Sequence, residues 1–162
     1  MRVMILGGDG YLGWPTAMDL AAKGHTVCVV DNYLRRQMAK ETDSEALIQT
    51  PDMNERAHLF EKLTGHKIDV QVYDCAEYSN LSASVREFHP EAIVHYAEQP
   101  SAPYSMRGFD EASKTFHNNL GVTFNVIWAV KENVPDCHIV KLGTMGEYGT
   151  PNIDIEEGWL DV

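Results

Sequence analysis

The chain has 162 residues and a formal net charge of −11, and 44% of its residues are hydrophobic. This composition predicts one soluble globular domain with a real core, and the negative charge argues against nucleic acid or an anionic membrane surface as the main partner. Three widely spaced cysteines without a CxxC pair indicate neither a disulfide framework nor a zinc site, which fits a cytoplasmic protein.

Apolar runs and helical patterns alternate along the chain. The first half predicts a strand over Arg2 to Leu6, a helix over Gly13 to Lys23, a strand over His25 to Val30, and two helices between Asn32 and Gly65. The second half predicts a strand over Lys67 to Tyr73, a helix over Leu81 to Phe88, a strand over Ala92 to His95, an amphipathic helix over Glu111 to Lys131, and a strand over Cys137 to Leu142. This alternation predicts an α/β fold, a Rossmann-like doubly wound parallel sheet with helices on both faces.

A glycine cluster follows the first predicted strand, in the stretch ILGGDGYLGW. Gly8, Gly10 and Gly13 fit the spacing G-x-G-x-x-G, and Gly7 with the last two fits G-x-x-G-x-x-G. Glycines at this spacing have no side chains in the way, so they permit a tight turn, close approach of the backbone to a pyrophosphate, and packing of the helix on the strand. The helix N-terminus then offers free N–H groups to the phosphates. Because a strand precedes the cluster and a helix follows it, we expect dinucleotide binding rather than a plain turn.

Acidic residues follow the second and third predicted strands. Asp31 stands where a carboxylate hydrogen-bonds the ribose hydroxyls of NAD and repels the extra phosphate of NADP, so we favour NAD; a turn or cap aspartate is the alternative. Arg35 and Arg36 suit either a phosphate partner or a solvated loop. Asp74 occupies the place of an adenine-contacting acid, and a strand-end cap remains the alternative.

The stretch HYAEQPSAPYSM follows the fourth predicted strand. Ligands of open parallel sheets bind beyond the carboxyl ends of the strands, so this loop is expected to border the cofactor. His95 is interpreted as a core histidine rather than a catalyst, and the histidines lack the spacing of metal ligands, so no metal is expected. We expect one of Asn118 and Asn119 to serve the site.

The fifth predicted strand leads into the stretch LGTMGEYGTP. The hydroxyl of Thr144 is placed to hydrogen-bond a substrate hydroxyl whose proton and hydride are removed. Glu147 is a candidate acid or base for the same substrate, and Tyr148 is either a packing residue or a platform for a sugar. A polar turn without function is the alternative for the whole stretch.

With these features, the sequence resembles extended short-chain dehydrogenases/reductases that act on nucleotide sugars, within the NAD-dependent epimerase/dehydratase family. The stretches GGDGYLGW, VVDNYLRR, EQPSAPYSM, HNN and KLGTMGEYGTPNIDIEEG are similar to those of UDP-sulfoquinovose synthases. This resemblance implies synthesis of the sulfolipid precursor UDP-sulfoquinovose from UDP-glucose and sulfite, with bound NAD. It implies oxidation at carbon 4 to a 4-keto intermediate, loss of water from carbon 6, addition of sulfite and return of the hydride.

The resemblance also implies roles for individual residues. Thr144 would polarise the hydroxyl being oxidised, and Glu147 would act as the base for dehydration. The positions that would hold NAD are Gly7, Gly10, Tyr11, Leu12, Gly13, Asp31, Asn32, Arg35, Asp74, Cys75, Tyr96, Ala97 and Asn119.

Two departures from the family pattern stand out. Pro100 occupies the place of an arginine in the family's loop, which puts the handling of sulfite in question. None of the seven tyrosines has a lysine four residues later, so the family's Tyr-x-x-x-Lys pair is not among these 162 residues. We therefore expect residues 1–162 to form the NAD-binding domain of a longer enzyme, truncated before its last strands and its C-terminal substrate domain.

Such a truncated chain is expected to be inactive alone, to bind NAD weakly, and to pair as a homodimer through its long helix or an open sheet edge. Two alternatives remain: a nucleotide-sugar 4-epimerase or dehydratase of the same superfamily, and a non-catalytic NAD-binding module. The reading frame beyond Val162 distinguishes the module from an enzyme, because an enzyme needs the Tyr-x-x-x-Lys pair there.

Overall fold

The computed structural model of the protein describes residues 1–44 and 46–144. Five strands form one parallel sheet in the order β3-β2-β1-β4-β5. They are β1 (Arg2–Leu6), β2 (Thr26–Asp31), β3 (Ile68–Val72), β4 (Ala92–His95) and β5 (His138–Lys141). The order reverses direction between β1 and β4, so the prediction of a doubly wound α/β sheet is confirmed.

The helices connect the strands in the order that the sequence predicts. They are α1 (Gly13–Ala22), α2 (Leu34–Glu41), α3 (Met53–Thr64), α4 (Tyr78–Phe88), α5 (Ala102–Ser105) and α6 (Phe109–Asn133). The short helix α5 was not predicted and lies in the loop after β4. Its N-cap is Ser101, whose side chain accepts a hydrogen bond from the backbone N–H of Tyr104.

Each face of the sheet packs against its own layer of helices. One hydrophobic cluster joins the strands to α4 and α6, and the other joins them to α1 and α3. Residues of β1 contribute to both clusters, since alternate side chains of a strand point to opposite faces. Burial on both faces explains why the central strands are continuous apolar runs rather than alternating ones.

The long helix α6 differs from the sequence-based expectation in which apolar residues it buries. The amphipathic pattern predicts an apolar face made of Phe116, Leu120, Phe124, Ile127 and Trp128. That face is exposed in the structure, with Phe116 61% and Phe124 59% accessible. The residues that face the sheet are smaller: Val122, Val126, Ala129 and Val130. Small and β-branched side chains let the helix approach α4 and the sheet closely. The strip of smaller residues is therefore buried, and the strip of larger ones is left exposed.

None of the helices in the described part of the chain is long and apolar enough to cross a membrane.

Candidate functional site

A cleft of about 710 Å³ lies beyond the carboxyl ends of the strands. The register aligns Leu6 of β1 with Val30 and His95, so the loops after β1, β2 and β4 start at one edge. Every predicted site residue that the structure describes lines this cleft: Gly7, Gly10, Tyr11, Leu12, Gly13, Asp31, Asn32, Arg35, Asp74, Cys75, Tyr96, Ala97, Asn119 and Thr144. Glu147 and Tyr148 lie outside the described residues.

The glycine loop after β1 packs so closely against its neighbours that side chains at three of its glycines would clash. Gly7 has φ of +88°, and a Cβ on it would lie 2.7 Å from the carbonyl carbon of Tyr96. A Cβ on Gly13 would lie 2.0 Å from the carbonyl oxygen of Gly7, so the start of α1 touches the loop directly. Gly8 does not line the cleft, because a Cβ there would meet the side chain of Val29 at 2.6 Å. The spacing that frames the cleft is therefore the one starting at Gly7.

The N-terminus of α1 opens into this cleft. Its N-cap residue, Leu12, makes no side-chain capping hydrogen bond, and the first turn contains no acidic residue. The start of a helix carries a partial positive charge, although here the N–H of Trp14 already donates to the carbonyl oxygen of Gly10 at 3.3 Å and Pro15 has no N–H. Together with the bare glycine positions, this arrangement fits the diphosphate of a dinucleotide.

Both carboxylate oxygens of Asp31 are held by backbone N–H groups. Asp9 donates to Oδ2 at 2.9 Å, and Tyr33 donates to Oδ1 at 2.7 Å. Burial raises the pKa of Asp31 above its ordinary value, while these two hydrogen bonds act to lower it. The carboxylate is thus oriented at the edge of the cleft before any ligand binds, with remaining lone pairs for ribose hydroxyls.

The two neighbouring arginines point to different places. Arg35 is exposed and lines the cleft. Arg36 does not line it, because its guanidinium forms an ion pair with Asp9 at 2.6 Å. Arg56 of α3 binds the same Asp9 carboxylate. Sequence reasoning missed both Asp9 and Arg56, and the only signal was an acidic residue inside a glycine loop that otherwise needs small residues.

The residues that follow β3 form a turn, and two of them, Asp74 and Cys75, line the cleft. Asp74 Oδ1 accepts a hydrogen bond from the N–H of Ala76 at 2.8 Å, as expected for an aspartate that caps the end of a strand. Asn125 of α6 donates to the carbonyl oxygens of Cys75 and Ala76 and fixes this turn. Burial raises the pKa of the Cys75 thiol to about 12, so this cysteine is a neutral wall residue rather than a nucleophile.

The loop after β4 is fixed by Asn119 of α6. The Asn119 side chain accepts from the N–H of Gln99 at 2.8 Å and donates to the carbonyl of the same residue at 3.1 Å. Gln99 is 7% exposed, and its amide contacts Ser101 and Thr115. Asn119 therefore positions the loop that forms one wall of the cleft. No sequence pattern predicted Gln99 as its partner, because the two residues are 20 positions apart.

His95 lies between the cleft and the core. It is 1% exposed, its Nδ1 lies 3.2 Å from the N–H of Ala97, and its Nε2 lies 3.2 Å from Oγ1 of Thr123. Because an N–H must donate, Nδ1 is the acceptor and Nε2 carries the proton. Burial lowers the pKa of His95 to about 4. This geometry supports the interpretation of a satisfied core histidine, neutral at pH 7, rather than a proton-transferring one.

The end of β5 brings Thr144 to the cleft. Lys141 forms an ion pair with Glu98 at 2.6 Å, which links the last residue of β5 to the loop after β4. Leu142, Gly143 and Thr144 then line the cleft beside the β4 loop. Thr144 is exposed, so its position suits contact with a bound molecule.

Comparison with known proteins identifies the family. The sequence profile described as the NAD dependent epimerase/dehydratase family matches residues 3–160. The chain belongs to this NAD-dependent epimerase/dehydratase family. Among curated members, the chain is 46% identical to the chloroplastic UDP-sulfoquinovose synthase of Spinacia oleracea, over 99% of this chain and 33% of that protein. It is also 46% identical to the UDP-sulfoquinovose synthase of Sulfolobus acidocaldarius, over 97% of this chain and 40% of that protein.

Other members of the epimerase/dehydratase family are more distant. The UDP-glucose 4-epimerase of Schizosaccharomyces pombe is 27% identical over 92% of this chain and 36% of that protein. Among solved structures, the UDP-glucose 4-epimerase of Bifidobacterium longum with NAD+ and UDP has a TM-score of 0.72 and 21% identity, covering 94% of this chain and 40% of that one. That likeness shows the shared fold. The chain spans between a third and two fifths of the length of these relatives.

Proposed function

We propose that the protein is the NAD-binding part of a UDP-sulfoquinovose synthase, which converts UDP-glucose and sulfite to UDP-sulfoquinovose through a 4-keto intermediate. The observation that carries this proposal is the 46% identity to two such enzymes over nearly the whole chain, against 22–28% for the UDP-glucose 4-epimerases. The name of the Spinacia oleracea relative includes a chloroplast location. A cytoplasmic location for this protein therefore stays a prediction.

The residues that line the cleft support an arrangement of bound NAD. The loop at Gly7 and Gly10 and the N-terminus of α1 would hold the diphosphate, and the Asp31 carboxylate would accept hydrogen bonds from the adenosine ribose. Arg35 and Asp74 would border the adenine end. The nicotinamide end would then lie toward the loops after β4 and β5, which carry Tyr96, Ala97 and Thr144.

The chain's own contribution to the chemistry would be positioning at the β5 end of the cleft. Bound NAD supplies a hydride acceptor for carbon 4 of the sugar and later returns the hydride. The hydroxyl of Thr144 would donate to or accept from the sugar hydroxyl being oxidised and hold it in line for reaction. His95 would not take the proton, because its burial keeps it neutral and both its ring nitrogens are engaged. Glu147 remains our candidate base for the dehydration.

Sulfite would have to enter the cleft beside the loop after β4. Pro100 lines the cleft in the loop after β4, at the place where the resemblance implies an arginine. The epimerase alternative differs in needing no sulfur anion, so the product formed with and without sulfite separates the two.

We expect NAD to bind this chain weakly at one site, so that in isothermal titration calorimetry the heat approaches saturation at one NAD per protein only at high NAD concentration. NADP should bind more weakly, because its ribose phosphate would face the Asp31 carboxylate. A titration in which NAD gives no saturable heat, or in which NADP binds better than NAD, contradicts the proposed cofactor.

We also propose that the protein pairs as a homodimer through the exposed face of α6, which carries Phe116, Leu120, Phe124, Ile127 and Trp128. These side chains form an apolar strip on one helix, of the kind that marks a protein interface. Sedimentation velocity reports the state, and a monomer at all concentrations contradicts this pairing.

A further inference from the structure

Asp9 is the centre of a charged cluster beneath the glycine loop. Its side chain is 9% exposed and binds two guanidinium groups, those of Arg36 and Arg56. Arg36 makes a two-point contact, with Nε 2.7 Å from Oδ2 and Nη2 2.6 Å from Oδ1. The backbone N–H of the same Asp9 donates to Asp31. One residue therefore orients the carboxylate that faces the cleft and also binds the arginine beside it.

The guanidinium of Arg36 has little capacity left for a ligand. Besides Asp9, it donates to the carbonyl oxygens of Thr50 and Pro51 at 2.8 and 2.9 Å. It lies one residue away from the Asp31 carboxylate, because its partner Asp9 donates its own backbone N–H to Oδ2 of Asp31 at 2.9 Å. Arg36 is thus a cation near the ribose position that is bound away from it.

Of the two arginines in the cluster, Arg36 is the more exposed and stacks less closely on an aromatic ring, with its guanidinium carbon 5.1 Å from the Tyr33 ring centroid. Arg56 is 12% exposed and stacks on Trp14, with its guanidinium carbon 4.2 Å from the ring centroid. The side chain of Arg36 is 35% exposed. Without the Asp9 carboxylate, the two guanidinium groups would repel each other at close range, and the more exposed one would turn toward solvent and the cleft.

We propose that Asp9 is a specificity residue for the cofactor: it selects NAD over NADP by holding Arg36 away from the adenosine ribose. The ribose then meets the Asp31 carboxylate, which accepts hydrogen bonds from two free hydroxyls and repels a 2′-phosphate. An arginine released toward the ribose would instead pair with that phosphate. This inference rests on the proposed function, since it assumes that the cleft binds NAD.

The test is the ratio of NADP to NAD dissociation constants, measured by calorimetry on the protein and on four variants. Asp9→Asn keeps the shape of the side chain and the N–H that donates to Asp31. It is expected to lower the ratio of the NADP to the NAD dissociation constant about tenfold, the effect of one charge-assisted contact. The double variant Asp9→Asn with Arg36→Gln removes the released cation and is expected to restore the ratio of the parent. Asp19→Asn is the matched control for net charge, because Asp19 pairs with Lys23 on the exposed side of α1.

The fourth variant keeps the test decisive if Asp9→Asn does not fold. Arg36→Lys retains the charge but cannot make the two-point contact with Asp9, so the cation is held less firmly away from the ribose. The ratio of the NADP to the NAD dissociation constant is therefore expected to fall severalfold. Equal weakening of both cofactors in Asp9→Asn, a narrowed ratio that persists in the double variant, or an unchanged ratio in Arg36→Lys overturns the proposal. If the parent protein binds neither cofactor, the proposed function itself is contradicted. If the parent binds NAD but the variants show the same ratio as the parent, only this inference is contradicted.

Discussion

Replacing Gly13 with alanine is expected to destabilise the protein by about 3 kcal/mol, at the upper end of the usual cost of overpacking. The added Cβ would lie 2.0 Å from the carbonyl oxygen of Gly7 and 3.0 Å from Cα of Gly8. Both are backbone atoms, so relief requires moving the glycine loop or the start of α1. Because Gly7 also lines the cleft, NAD affinity should fall together with stability.

The matched control is Gly121→Ala in the interior of α6. A Cβ on Gly121 meets no atom within 4 Å, and alanine is the better helix former by about 0.8–1 kcal/mol, so this variant should be slightly more stable than the parent. Thermal unfolding followed by circular dichroism compares the two. A Gly13→Ala protein that melts within a degree or two of the parent would show that the loop and helix do not pack as described.

Replacing Thr144 with valine is expected to lower the turnover of the complete enzyme by about a hundredfold, the loss that follows when a reacting hydroxyl is no longer held in position. Valine has nearly the same shape as threonine but no hydroxyl, so it removes the proposed contact to the sugar hydroxyl. Thr144 lies at the β5 end of the cleft, away from the Asp31 end, so NAD affinity should stay close to that of the parent.

Thr144→Ser is the conservative partner of this variant, because it keeps the hydroxyl and loses only a methyl group. It is expected to retain most of the turnover. Steady-state rates with UDP-glucose, together with NAD calorimetry on each variant, provide the comparison. Full activity in the valine variant, or equal losses in valine and serine variants, would remove Thr144 from the catalytic set.

Local patterns in the sequence were sufficient for the fold and for the outline of the cleft. Strands alternate with helices, and the residues after each strand meet at one edge of a parallel sheet for topological reasons, so Gly7, Asp31 and Thr144 were predictable without coordinates. Which NAD contacts these residues make stays a prediction.

The hydrogen bonds and ion pairs that hold the loops around the cleft were not predictable in the same way. Asp9 pairs with residues 27 and 47 positions away, and Gln99 pairs with Asn119 across a loop, so no local spacing reveals either contact. The long helix shows the same limit. It carries two apolar strips at helical spacing, and only packing against the sheet decides that Val126 is buried while Phe124 is exposed.

The most direct test of the proposed function is the product that the complete protein forms from UDP-glucose with and without sulfite. We expect UDP-sulfoquinovose to form with NAD bound and only when sulfite is added, identified by mass spectrometry of the nucleotide sugar. Formation of UDP-galactose at the same rate with or without sulfite would contradict the proposal and make the protein a 4-epimerase.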